Sequence, residues 1–544
     1  MALPSNFFST QSVLVVDDID TIRSAIKSML QLLGCKEISV AGNGDRAIEL
    51  CEVTKYDFVL CDFNLGKGKD GYQLFEELKL RELLKSNTVF ILISAETALQ
   101  VIHGIVELQP DDYLLKPFSY KTLEARLVRA LNKRKVLGAI YDALALKNYK
   151  TALAECTKAS QANQKYALPI MRLKGEVLLH LKQPQIALDL YNSILAHRDF
   201  SWATLGKAVA YYHLGDYSKS AALLNPLCEL KETRIEALNW LSSIYAQRKC
   251  YSQAKEILLE SVKLSPKNIP RQRALANLSL LEGDWEIAQR CFKTVLDNTR
   301  FSVHEHIDHH FNYIHCLLDR AQKSSELQQA KIFSQVQATL KSGAQRFDKT
   351  LFHQLEKIVS ARIMIIKRLL KGATQSLNDC NVEMIIECGR DSGLALAKAW
   401  FELGDYEKYE EIMALITLPE SDDSIEGMSD LLLVNEVKQG HKDKIAKLLS
   451  LNEQGIKLYR SGLYPASTSI FIDAFEIMPN NTQLSLNLAQ SITKGWPPNE
   501  KFSKKKFIVK QCINVVEAEA EQLDSLSMQR YRSIEAQLKN ILSE

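Results

Sequence analysis

Between residues 148 and 288 one short pattern returns about every 34 residues. The copies read Asn148-Tyr149-Lys150-Thr151-Ala152, Gln183-Pro184-Gln185-Ile186-Ala187, Asp216-Tyr217-Ser218-Lys219-Ser220, Cys250-Tyr251-Ser252-Gln253-Ala254 and Asp284-Trp285-Glu286-Ile287-Ala288. Their closing small residues stand 35, 33, 34 and 34 positions apart. Each copy is a turn, usually followed by an aromatic, then a small residue. Such a period marks helix pairs that cannot bury their apolar faces alone and must stack on their neighbours. The small residue lets the preceding helix approach closely. Large residues such as Leu241, Tyr245 and Leu258 are expected to fill the space around it.

The pattern resembles the tetratricopeptide (TPR) repeat. Pro266 closes its copy where that family places a proline. A later copy runs from Leu451 to Pro479, with Gly455, Tyr464, Ser467, Phe471 and Ala474 at matching positions. Leu403-Gly404-Asp405-Tyr406 marks a further turn. From about Thr299 to Gly389 the signature fades while the helical period persists, and long helices are expected at Leu327–Lys341 and Leu351–Leu370. After Trp496-Pro497-Pro498, a helical pair at Lys504–Glu521 and Ser525–Leu542 is expected to cap the array. Only 22 Gly and 13 Pro in 544 residues fit long helices.

The first 135 residues have a different rhythm. Short apolar runs, Val13–Val16, Ile38–Val40, Phe58–Cys61, Phe90–Ile93 and Tyr113–Leu115, alternate with helical patterns at Thr21–Leu33, Asp45–Val53, Tyr72–Leu84, Ala98–Leu108 and Tyr120–Arg134. Strands separated by helices give right-handed parallel units and a doubly wound α/β sheet. Ligands bind such sheets at the carboxyl ends of the strands. Those ends carry Asp17-Asp18, then Asp62-Phe63-Asn64, Ser94-Ala95 and Lys116-Pro117-Phe118. Three carboxylates in one crevice repel unless a cation sits among them. All-oxygen ligands with room for water suit Mg2+. A nearby lysine suits a phosphoryl oxygen.

These strand ends resemble the response-regulator receiver domain of two-component signalling, over about Ser12 to Arg134, with its flavodoxin-like fold. The resemblance implies that Asp62 is the phospho-acceptor. Asp17 and Asp18 would hold Mg2+ with the Asp62 carboxylate and the Asn64 main-chain carbonyl. Ser94 and Lys116 would bind the phosphoryl group, and Tyr113 takes the switch-aromatic position. Asn64 and Glu96 occupy the positions that tune dephosphorylation and imply a short-lived phosphate. The loop from Asn64 to Gly71 departs from the family, lacking its usual proline, and Ser94 replaces the commoner threonine. No linker rich in Pro, Gly or Ser separates Tyr120 from Leu137, so the last receiver helix is expected to run into the first repeat helix.

The expected organisation is a receiver at 10–135, TPR repeats at 136–300, divergent helical repeats at 301–450, and a TPR-like repeat with capping helices at 451–544. This layout is similar to bacterial receiver–TPR regulators of the VieB-like kind. It implies a phosphorelay protein charged by a sensor histidine kinase or histidine phosphotransfer protein. Its array would bind a protein and modulate a kinase or another regulator. The only chemistry expected is transfer to Asp62 and autodephosphorylation. A constitutive scaffold with a vestigial receiver and a transcriptional regulator stay open as alternatives, as does a homodimer through the Tyr113 face. The net charge of +3 gives no general pull toward nucleic acid, and no helix-turn-helix is legible. Eleven cysteines without a C-x-x-C pair, no basic leader and no apolar run of membrane-spanning length point to a cytoplasmic chain with no membrane insertion. Five histidines between His304 and His315 are expected to form a polar helix face rather than a metal site, although His306 and His310 stand four apart.

Overall fold

The computed structural model describes residues 7–66, 68–85, 87–95, 110–417, 424–520 and 523–543. The chain divides into two compact units. The first contains residues 1–278 and 294–305, the second residues 279–293 and 306–544.

The first unit begins with a five-stranded, wholly parallel sheet in the order β2-β1-β3-β4-β5. The strands are β1 (Ser12–Val16), β2 (Glu37–Ala41), β3 (Phe58–Asp62), β4 (Val89–Ser94) and β5 (Asp112–Leu115). The helices described between them are α1 (Asp20–Leu32), α2 (Gly44–Val53) and α3 (Gly71–Leu80). β1, β3 and β4 are buried at every position, because both faces of the sheet are covered. Leu14, Val16, Val59, Cys61, Phe90 and Leu92 pack on one side with Ala47, Ile48, Leu74 and Leu78. Val13, Val15, Phe58, Leu60, Ile91 and Ile93 pack on the other with Ile26, Leu30, Leu123 and Leu127. This is the receiver fold expected from the alternating runs. The expected helix at Ala98–Leu108 lies outside the described residues.

α3 stops earlier than its apolar spacing suggests. Glu82 takes a left-handed conformation with φ +53°, which lets the Leu83 N–H donate to the Leu78 carbonyl at 2.9 Å. The last receiver helix, α4, is continuous from Tyr120 to Ala145. Its first half packs Leu123 and Leu127 on the sheet, while Leu137 and Ile140 join Cys156 and Ile170 in a separate cluster. One uninterrupted rod therefore belongs to both parts.

From Tyr149 onward the rest of the described chain is helical, with many helices packing on their sequence neighbours within each unit, an arrangement consistent with a solenoid. The recurring small residues Ala152, Ala187, Ser220, Ala254 and Ala288 are completely buried. A β-carbon at Gly175 or Gly206 would run into the Tyr191 ring, and one at Gly455 into Phe471. Close helix approach is thus enforced by size. Ser220 and Ser467 also donate back across the pair, each at 2.8 Å, to the Ala208 and Gly455 carbonyls. The turn before each pattern carries a left-handed residue: Lys147, Lys182, Gly215, Lys249 and Gly283 all have φ between +53° and +80°.

In the second unit, the helix expected at Leu351–Leu370 spans Lys349–Ile366 and ends at the left-handed Arg368. A single helix runs from Ile425 to Arg460, so residues 450 and 451 lie inside one element. The histidine segment differs from expectation. His306 caps the helix Ile307–Ala321 from outside it, and His309 and His310 are buried. That helix is enclosed, so its histidines do not form a polar outer face. His315 faces the completely buried Arg362, whose guanidinium binds Glu402 at 2.9 and 2.6 Å and Asp319 at 2.5 Å. Lys398 completes this group at 2.6 Å from Asp319. Burial and the Arg362 charge push the His315 imidazole down to about 3, so it stays neutral.

Candidate functional site

The strand register assembles the site. Val16 pairs with Ala41 on one side and Cys61 on the other, Asp62 pairs with Ile93, and Ser94 pairs with Leu115. The residues that follow these positions emerge together at the carboxyl edge. Asp17, Asp18 and Asp62 each place a carboxylate oxygen within 4.8 Å of the other two. Asp17 is 1 % and Asp62 7 % exposed, whereas Asp18 is open to solvent. The Ile19 N–H donates to Asp17 Oδ1 at 2.9 Å and fixes that carboxylate.

Lys116 reaches in from the end of β5. Its Nζ donates to Asp17 Oδ2 at 2.7 Å and to Asp62 Oδ1 at 2.9 Å. Burial works to lower the pKa of the ammonium, but the two carboxylates outweigh it and hold the pKa above the ordinary lysine value. Asp62 moves up as well. Burial is the main cause, and the charges of Asp17 and Asp18 add to it, against the opposing pull of Lys116. Among the described residues the cluster is thus under-neutralised, with the Lys116 cation facing three carboxylates. A hard divalent cation with oxygen ligands fits this donor set. Gly66 gives room on the open side: with φ +73°, its missing β-carbon would stand 3.1 Å from Asp18 Oδ2.

Ser94 is buried at the end of β4, and its carbonyl accepts the Lys116 N–H at 2.8 Å. Tyr113 lies one strand over, in register with Leu92, half-buried against the core. Asn64 is exposed, and its side-chain oxygen accepts the Gly66 N–H at 3.3 Å. Glu96 lies outside the described residues.

The sequence reading overlooked Gly71 and Asp70. Gly71 donates its N–H to the Phe63 carbonyl at 2.8 Å, and a β-carbon there would overlap the Asp62 carbonyl oxygen. Asp70 caps α3 by accepting the Gln73 N–H at 2.9 Å, with Gln73 Oε1 accepting the Asp70 N–H in return at 3.1 Å. The Asp-Gly pair closing the loop was the available signal.

The family description "Response regulator receiver domain" matches residues 13–128. The chemotaxis protein CheY-3 of Vibrio cholerae is 31 % identical over 115 residues, covering 21 % of this chain and 87 % of that protein. The chain belongs to the response regulator receiver family. A probable transcriptional regulator, ycf27 of Cyanidium caldarium, is 33 % identical over 121 residues. That match covers 22 % of this chain and 46 % of the relative, so the chain spans about half of its length. Among solved structures, the Vibrio cholerae chemotaxis response regulator CheY4 is 25 % identical, covers 22 % of this chain and 98 % of that one, and has a TM-score of 0.21. A Francisella response-regulator receiver domain is 31 % identical, covers 23 % and 98 %, and has a TM-score of 0.20.

The acidic cluster is of the kind that binds Mg2+ in receiver domains, and membership implies a phosphodonor such as a histidine kinase. Among the described residues, no helix is long and apolar enough to cross a membrane.

Proposed function

We propose that Asp62 accepts a phosphoryl group from a histidine kinase or phosphotransfer protein, and that the helical region is a TPR-type protein-binding output. The observation that carries this reading is the triad of Asp17, Asp18 and Asp62 bridged by Lys116. Lys116 occupies Asp62 Oδ1, so attack on phosphorus falls to Oδ2. The new O–P bond forms as the P–N bond of the donor's phosphohistidine breaks. The bonding pair returns to the imidazole nitrogen, which takes up a proton. Little covalent chemistry is asked of the protein beyond alignment and charge stabilisation. Asp17, Asp18, Asp62 and the Asn64 carbonyl would hold Mg2+, which would supply neutralisation of the phosphoryl oxygens. After transfer Lys116 pairs with a phosphoryl oxygen and Ser94 donates to another. The phosphoryl group carries about −1.5 to −2 but replaces the carboxylate's own charge, a net gain of roughly half to one negative charge. Tyr113 repacks in response, giving a two-state switch.

The output half of the reading rests on the buried small residues at 34-residue spacing and on α4, which joins the sheet to the first helix pair without a break. We assign a protein partner, a kinase or another regulator as in VieB-like proteins, rather than DNA. Incubation with Mg2+ and a phosphorylated donor should add one base-labile phosphate to wild type and none to Asp62→Asn. Absence of label on wild type refutes the receiver chemistry. The second test is capture of partners by three baits: wild type with Mg2+ and beryllofluoride, wild type alone, and Asp62→Ala. Identical partners on all three refute gating of the array.

A further inference from the structure

Within the first compact unit, α3 meets the helical array along one stripe. Asp70, Gln73 and Glu76 are three residues apart and share a side of α3 and its cap. Lys267 Nζ lies 3.4 Å from Asp70 Oδ2. Gln73 Nε2 donates to the Asn298 carbonyl at 3.1 Å. His304 Nε2 stands 3.2 Å from Glu76 Oε1. Lys267 also places its ammonium 5.7 Å from the centroid of the Phe63 ring. The receiver contributes two carboxylates, which face an ammonium and a hydrogen-bonding imidazole of the array.

This stripe shares its backbone with the phospho-acceptor. Phe63 follows Asp62 directly, and its N–H donates to the Ile93 carbonyl at 2.7 Å. Gly71 closes the loop onto Phe63. Asp70 has two duties: one oxygen caps α3 and the other faces Lys267. Residues 62–71 are therefore one piece of chain, with Asp62 at one end and the docked residues at the other. The docked shape is also the one in which the three carboxylates converge.

We propose that Lys267, Asn298 and His304 of the array form a docking site for the receiver's own α3, and that the dock holds residues 62–66 and 68–71 in the shape that loads Asp62. Docking raises the affinity of the site, and by reciprocity loading of Asp62 tightens the dock. The coupling half rests on Asp62 being the phospho-acceptor; the dock itself does not.

The test uses the full chain as wild type, the double variant Lys267→Glu/His304→Ala, and Glu76→Gln. Lys267 and His304 are 68 % and 47 % exposed in their side chains, so the double variant is expected to fold, which circular dichroism checks. Without additives, amide exchange at residues 72–79 and 296–304 should be faster in both variants than in wild type. Equal exchange overturns the dock. With Mg2+ and beryllofluoride, wild type should gain protection at 72–79. Bound fluoride, followed by fluorine NMR, should show a roughly fivefold lower affinity in the double variant. Equal affinity overturns the coupling. No bound fluoride on wild type overturns the Asp62 reading and the coupling with it, while the additive-free exchange still decides the dock.

Discussion

Gly71→Ala concentrates the site's geometry into one methyl group. Gly71 opens α3 directly beneath the Asp62 backbone. The new β-carbon would overlap the Asp62 carbonyl oxygen and lie 3.1 Å from both the Asp62 carbonyl carbon and Phe63 Cα. All three neighbours are backbone, so no flexible side chain can yield. Relieving the overlap requires the end of β3 and the start of α3 to part by about 1 Å, judged against ordinary van der Waals contact. Overpacking of this type costs about 1–3 kcal/mol. A misplacement of about 1 Å at a reacting group costs on the order of 100-fold in rate. Urea denaturation should therefore show a stability loss of about 2 kcal/mol, and phosphorylation of Asp62 should slow by about two orders of magnitude. Gly68→Ala is the control. Gly68 has φ +99° but nothing within 4 Å of its β-carbon position. It should lose about 1 kcal/mol through backbone strain alone, with phosphorylation kept within a few-fold. If Gly71→Ala loses less than about 0.5 kcal/mol and phosphorylates normally, the close-approach argument is refuted.

Arg362→Met leaves Glu402 buried without its cation, and loss of one partner from such a group costs about 3–5 kcal/mol; urea unfolding of the full chain should show this loss, and an unchanged midpoint rejects it. Burial opposes ionisation of Asp319, but Lys398 and Arg362 outweigh it and hold the carboxyl at about 2. Its folded-state pKa is thus below the unfolded value of about 3.9, so its contribution is complete above about pH 4 and lost as pH falls toward 2. Acid titration of Asp319→Asn should accordingly lose this dependence between pH 4 and 2. Lys182 occupies a left-handed turn with φ +57°; Lys182→Gly should gain about 0.5 kcal/mol, the relief of strain less glycine's entropy cost, and a thermal shift downward contradicts it.

Much of the site was legible because a parallel sheet converts sequence order into place. Strands ending in Asp17-Asp18, Asp62, Ser94 and Lys116 must bring those groups to one edge, provided that the register aligns them, as it does. The array was legible for a similar reason. A small residue at fixed spacing is needed wherever two helices approach closely, and Ala152 through Ala288 meet that need. Helix ends were harder to read. The stops after Leu80 and Ile366 are set by left-handed Glu82 and Arg368, neither of which advertises that conformation.

Local pattern thus determined the receiver fold, the converging carboxylates, the helical period and the unbroken α4, because each depends on residues near in sequence or tied by strand order. Tertiary structure alone decided the rest. Sequence placed five histidines in one segment, but only packing separates their environments, exposing His304 beside Glu76 and setting His315 against the buried Arg362. Likewise, nothing local connects Gln73 with Asn298, which are 225 residues apart. Such contacts depend on the small rotations accumulated from one helix pair to the next, and no single residue encodes that sum.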